Sequence, residues 1–136
     1  MRNLLALAAM AVLAAPAAAQ TVDVGRANWN ALPALNTTST ALPMETLVTA
    51  VEDILKTKQC KLQGQSYQRF DITVPYAVLL EPNGTTNRVV VGEMNCPPLE
   101  TFVGQIALER AKLGHYQPTG QAKARWYADK INFNLQ

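Results

Sequence analysis

A run of strict alternation constrains this chain more than any other feature. Between residues 69 and 81, Phe70, Ile72, Val74, Tyr76, Val78 and Leu80 alternate with Asp71, Thr73, Pro75, Ala77 and Leu79. Successive side chains of a strand point to opposite faces, so a period of two fits a half-buried β-strand and not a helix. Glu81-Pro82-Asn83-Gly84 closes the run. Proline presets φ there and Asn-Gly tolerates positive φ, so a turn is expected. A second apolar stretch over residues 86–94, centred on Val89-Val90-Val91, completes a β-hairpin. Pro75 lacks an N–H, which points to a sheet edge, a bulge or the joint between two shorter strands.

Helical patterns flank the hairpin. Over residues 43–58, Leu47, Val48, Val51, Ile54 and Leu55 recur on one face, with Pro43 and Glu45 suited to the first turn. Asn95-Cys96-Pro97-Pro98 stops the second strand and opens a helix over 98–113, where Leu99, Phe102, Val103 and Ile106 follow helical spacing. Gly114 suits the position after its end. Residues 61–68 and 115–122 read as connections. A last strand over 123–135 places Tyr127, Ile131, Phe133 and Leu135 on one face and Trp126 and Ala128 on the other. Asp129 interrupts the apolar face, so a bulge or a wet end is expected there. The predicted fold is α+β: a small antiparallel three-stranded sheet with two packed helices, in the order helix-strand-strand-helix-strand, over residues 43–136.

Two segments precede that domain. Met1-Arg2-Asn3, the apolar run Leu4 to Ala15, Pro16 and Ala17-Ala18-Ala19 have the layout of a secretory signal peptide cleaved after Ala19. The alternative is an uncleaved anchor, but about a dozen apolar residues fall short of the roughly 20 that span a bilayer. Residues 20–42 form a polar, irregular arm with Trp29, Leu32 and Leu35 as its large anchors.

An exported chain with two cysteines, Cys60 and Cys96, reads as one disulfide. Closing that loop stabilises by about 4 kcal/mol in the chain-entropy picture. A nucleophilic thiol or a metal ligand is the competing reading, but the spacing forms neither a CxxC motif nor a zinc knuckle. The formal net charge is +2, and losing Arg2 with the leader brings it closer to zero, so nothing electrostatic argues for nucleic acid. One histidine excludes a multi-histidine metal site, and neither Ser39 nor Ser66 stands in a G-x-S-x-G setting. No cofactor and no catalytic role is therefore expected.

Five short motifs follow one another in the second half. Val78-Leu79-Leu80-Glu81-Pro82-Asn83-Gly84 leads a strand into a turn. Arg88-Val89-Val90-Val91 forms the next strand, and Leu99-Glu100 with Ala107-Leu108 marks a helix. Tyr116-Gln117-Pro118 is an aromatic-x-Pro element and Ile131-Asn132-Phe133 an apolar-x-aromatic strand. In this order, across residues 74–135, they resemble the C-terminal domain of the TonB family. The resemblance implies a periplasmic domain that takes a short extended segment of an outer-membrane receptor as an added strand. Backbone hydrogen bonds supply affinity in that mode and alternate side chains supply choice.

Carried over, the resemblance places the binding edge on residues 125–133, with Arg125, Tyr127, Asn132 and Phe133 as its residues. Packing of Trp126 and Tyr127 on the helices is the competing reading. Leu113-Gly114-His115 departs from the basic aromatic doublet expected before Tyr116, and no Pro-rich spacer occurs. The expectation is thus an exported, periplasmic or secreted, non-enzymatic protein-binding domain without energy transduction of its own. Its partner would be a periplasmic or outer-membrane protein segment, or a second copy. The alternatives are an envelope structural module whose sheet edge is capped by residues 20–42 and, last, a small exported hydrolase.

Overall fold

The computed structural model describes residues 20–38 and 41–136; the expected leader, 1–19, lies outside the described residues. The elements are β1 (Thr21–Gly25), a 3-10 turn (Trp29–Ala31), β2 (Asn36–Thr37), α1 (Met44–Leu55), β3 (Phe70–Leu80), β4 (Arg88–Gly92), α2 (Pro97–Lys112), β5 (Tyr116–Gln117) and β6 (Arg125–Leu135). The fold is α+β, as the patterning predicts. Among the described residues no helix is long and apolar enough to cross a membrane.

The hairpin and the last strand form as expected. β3 runs antiparallel to β4, with Ala77 opposite Val90, and β6 returns antiparallel to β3 along its whole length, from Phe70 opposite Leu135 to Leu80 opposite Arg125. The alternation of β3 becomes two faces. Phe70, Ile72, Val74, Tyr76, Val78 and Leu80 are buried with Val89, Val91, Ile131 and Phe133. Val51 of α1 and Leu99, Val103 and Ala107 of α2 cover that face. The proline question also resolves. β4 pairs with Tyr76 to Val78 only, so Pro75 sits where that pairing has just ended and its missing N–H leaves no gap in the ladder. Gly92 lets β4 end against the proline ring: a Cβ there would lie 2.7 Å from Pro75 Cγ.

The expected three-stranded antiparallel sheet is corrected to a mixed four-stranded one, in the order β1-β4-β3-β6. The extra strand comes from the arm. β1 lies parallel to β4, with Val22 opposite Val89 and Val24 opposite Val91. Its five residues carry too short an alternation to stand out from a polar segment, and their partner lies more than sixty positions away. What seats β1 is a close approach: a Cβ on Gly104 of α2 would meet Val22 Cγ1 at 2.2 Å, so only glycine lets the helix sit down on Val22.

The rest of the arm is also ordered by pairing. It crosses the helix-free face, where the turn at Trp29 lies beside Pro75 and Ala128, and reaches the opposite edge of the sheet. There Ala34 bridges Ala128 in parallel, and Leu35 becomes a buried core residue. β2 then pairs with β5, a strand inside the region expected to be a loop.

Cys60 and Cys96 are joined by a disulfide. The bridge ties the segment after α1 to the start of α2, beside a backbone bond from Lys61 N–H to the Asn95 carbonyl (2.9 Å). Cys96 caps α2, with Pro97 and Pro98 in the first turn, where their missing N–H groups cost nothing. The Glu100 carboxylate is buried but satisfied, since it accepts the Cys96 N–H at 3.1 Å.

Candidate binding edge

β6 is the outermost strand on its side of the sheet, so its backbone decides what that edge can do. In a strand, N–H and C=O of one residue point to the same side and alternate between neighbours. Ala128 fixes the phase. Its N–H donates to the Pro33 carbonyl and its carbonyl accepts the Leu35 N–H, both at 2.9 Å. Ala128 therefore faces outward, and so do Lys130, Asn132 and Asn134, while Ile131 and Phe133 bond inward to β3. Past the single contact with the arm, the outward backbone groups of these three residues meet no partner among the described residues.

The other edge is different. β4 is covered over all five of its residues by β1, and the cover is pinned by ion pairs of Arg26 with Glu93 (3.0 Å) and Arg88 with Asp23 (4.0 Å). These pairs are exposed, so they guide more than they stabilise.

The residues expected at the edge separate by this phase. Asn132 has the expected placement: its side chain is exposed, and its Nδ2 donates to Asp71 Oδ1 (2.8 Å) and Thr73 Oγ1 (2.9 Å). Those bonds tie β6 to β3 across the helix-free face. Arg125 is exposed and stacks over the Tyr127 ring at 5.9 Å. Tyr127 and Phe133 need a correction of place, because both are buried in the core. The Tyr127 hydroxyl is consumed by Thr119 Oγ1 (2.6 Å) and Gln121 Oε1 (3.1 Å), and Phe133 packs against Phe102 with ring centroids 6.2 Å apart. With their backbone bonded to β3 as well, neither presents a group to the edge. Trp126 turns to the helix-free face, where the Arg88 guanidinium lies 5.6 Å from its ring.

Lys130 and Asn134 are the edge residues that sequence reasoning did not name. The sequence groups them, since every even residue from 126 to 134 falls in the phase opposite Tyr127, Ile131, Phe133 and Leu135, but only the Ala128 bonds show that this phase faces away from β3.

Among the described residues no group of three or more His, Cys, Asp or Glu side chains could hold a metal ion. Two tyrosines among them ionise well above the ordinary range. Burial, followed by the neighbouring Tyr116 and Asp129, pushes the Tyr76 hydroxyl far above its usual range, and that hydroxyl donates to Asp129 Oδ2 at 3.1 Å. Burial likewise pushes Tyr116 up to about 12, with its hydroxyl donating to the Ala107 carbonyl at 2.8 Å. Asp129, the acid that interrupts the apolar face of the last strand, is thus a partner for Tyr76. β6 stays in register there, without the bulge that was one expectation.

Comparison with known proteins adds no relative: no family model, no curated protein and no solved structure matches this chain.

Proposed function

We propose that this protein is an exported, periplasmic, non-enzymatic binding domain that takes an extended segment of a periplasmic or outer-membrane protein as an added strand along Lys130, Asn132 and Asn134. The observation that carries this reading is the unpaired outward backbone of those three residues, next to a residue whose outward groups already accept a strand-like segment. Pro33 to Leu35 occupy Ala128 in the geometry an incoming peptide would use. Main-chain bonds would supply affinity, and the side chains of Lys130, Asn132 and Asn134 on the helix-free face would supply choice. The resemblance of residues 74–135 to the TonB C-terminal domain supports the same mode. The reading gives the domain no energy transduction of its own.

A second reading is favoured by β1: a chain that caps one of its own edges is suited to an envelope structural module, with the remaining edge closed by a second copy. Site-specific photo-crosslinking in the intact cell envelope separates the two. A photoreactive residue at Asn132 is expected to give adducts with another protein, and the same residue at Thr101 on the exposed face of α2 is expected to give none. Adducts with a second copy alone would favour the structural module. Equal labelling from both positions, or no labelling, would remove the edge from consideration.

A further inference from the structure

Away from the edge, on the helix side, α1 and α2 enclose a groove of about 690 Å³, open along one side. That volume lies within the range of small-molecule sites, roughly 300–1,000 Å³. Its walls are apolar: Leu42 and Leu47 face Phe102, Ile106 and Leu108, with Leu113 at the rim, 61% exposed.

Two basic side chains of the groove, one buried and one half-buried, break this pattern. Arg110 is only 8% exposed, yet its guanidinium forms no ion pair with any described carboxylate, and its Nε is buried with no hydrogen-bond partner. What it has is the face of the Tyr116 ring, 5.9 Å away. His115 stands beside it, held by a bond from its N–H to the Arg110 carbonyl (2.9 Å), and its Nδ1 is also buried without a partner. Glu109 and Lys112 line the groove too, an acid and a base that offset one another.

A buried arginine is ordinarily paired, because a donor withdrawn from water and left without an acceptor is unfavourable. Arg110 and His115 both line this apolar groove, and each keeps a buried nitrogen atom without a partner, which defines the missing chemistry. An anion belongs beside Arg110 and His115, and a hydrocarbon chain belongs along Leu47, Phe102 and Ile106. We propose that this groove binds an amphiphilic monocarboxylate of the fatty-acid class, its carboxylate on Arg110 and His115 and its chain between the two helices. Guanidinium and carboxylate match as a fork to a fork, which an alcohol cannot reproduce.

Calorimetric titration of the purified, disulfide-bonded protein with dodecanoate and with dodecanol tests this. Dodecanoate is expected to bind one to one, with backbone-amide shifts at residues 42–47 and 108–115. Dodecanol is expected to bind at least about tenfold more weakly. Arg110→Gln should weaken dodecanoate by at least about tenfold and leave dodecanol unchanged. Because Arg110 is buried and its variant can fail to fold, Leu113→Glu is the second variant. It sits at the exposed rim and is expected to weaken dodecanoate severalfold by repulsion. Absence of dodecanoate binding, equal affinity for the alcohol, shifts confined to β6, or undiminished binding by a folded Arg110→Gln or by Leu113→Glu would each overturn the proposal.

Discussion

Along β3, Tyr76 to Val78 have a strand on either side, whereas Phe70 to Val74 pair with β6 alone. The first half of the sheet is guarded all round. α2 covers one face, the Trp29 turn lies on the other, β1 closes the β4 edge, and Pro33 to Leu35 hold Ala128. The second half is a two-stranded ribbon covered on its apolar face by α1. Its other face is polar, with Asn132 donating to both Asp71 and Thr73 in the open. An unpaired strand edge is a hazard, and proteins blunt it with lysine and polar residues or cover it. This chain covers one half and places Lys130, Asn132 and Asn134 on the other. The open edge is therefore not merely the end of the sheet: the arm reaches it, pairs with Ala128 alone and turns away.

The largest test of this division is the disulfide, which joins the segment behind the ribbon's helix to the helix of the guarded half. Replacing both Cys60 and Cys96 by serine is expected to cost about 4 kcal/mol in urea unfolding. A loss under about 1 kcal/mol would mean that the two halves hold together through the sheet alone.

A smaller effect is expected from removing the guard itself. Gly104→Ala forces a Cβ into Val22, so stability should fall by about 1–3 kcal/mol and the amides of β1 should lose exchange protection. Adding Val22→Ala should restore most of both. Protection lost at β6 instead would break the assignment of β1 to the guarded side.

The buried tyrosines beside β5 give a pH signature. Tyr116 and Tyr76 both ionise at higher pH folded than unfolded, where a tyrosine loses its proton near 10. The stability they confer is complete below about pH 10 and is lost as pH rises above it, by about 2 kcal/mol at pH 12 from Tyr116 alone. Chemical unfolding between pH 8 and 12 checks the sign; rising stability would contradict it.

The smallest expected change in stability is the most informative about function. Lys130→Pro removes an N–H that points outward from an exposed residue, so it should cost about 1 kcal/mol or less. The crosslinks captured from the neighbouring outward position, Asn132, should nevertheless disappear. A variant that unfolds, or that keeps its adducts, would show that the phase of β6 has been misassigned.

Much of this was legible beforehand, for local reasons. The alternation of β3, the Pro-Asn-Gly turn and the apolar faces of α1 and α2 are written in short windows, and each forms within a few residues of its expected bounds. The disulfide was expected from two cysteines behind an N-terminal run with the layout of a signal peptide, and Cys60 and Cys96 are joined. The arm was not legible. β1, β2 and Pro33 to Leu35 are two to five residues long, and what makes them strands is a partner far along the chain. Of the candidate edge, the sequence reading grouped Asn132 with Tyr127 and Phe133, and the structure separates them: Asn132 has an outward backbone, while Tyr127 and Phe133 are buried with theirs bonded to β3. Which side of β6 faces β3 is a tertiary fact, and the arm's bond to Ala128 is what reveals it.

Residue-resolved hydrogen exchange along β6 reads which of its amides face β3 and which face solvent. Ala128, Ile131 and Phe133 should be protected, while Lys130, Asn132 and Asn134 exchange rapidly, giving an alternating pattern beyond the arm's bridge. Uniform protection from Ala128 to Asn134 in the free protein would mean that the edge is already closed and would contradict the account.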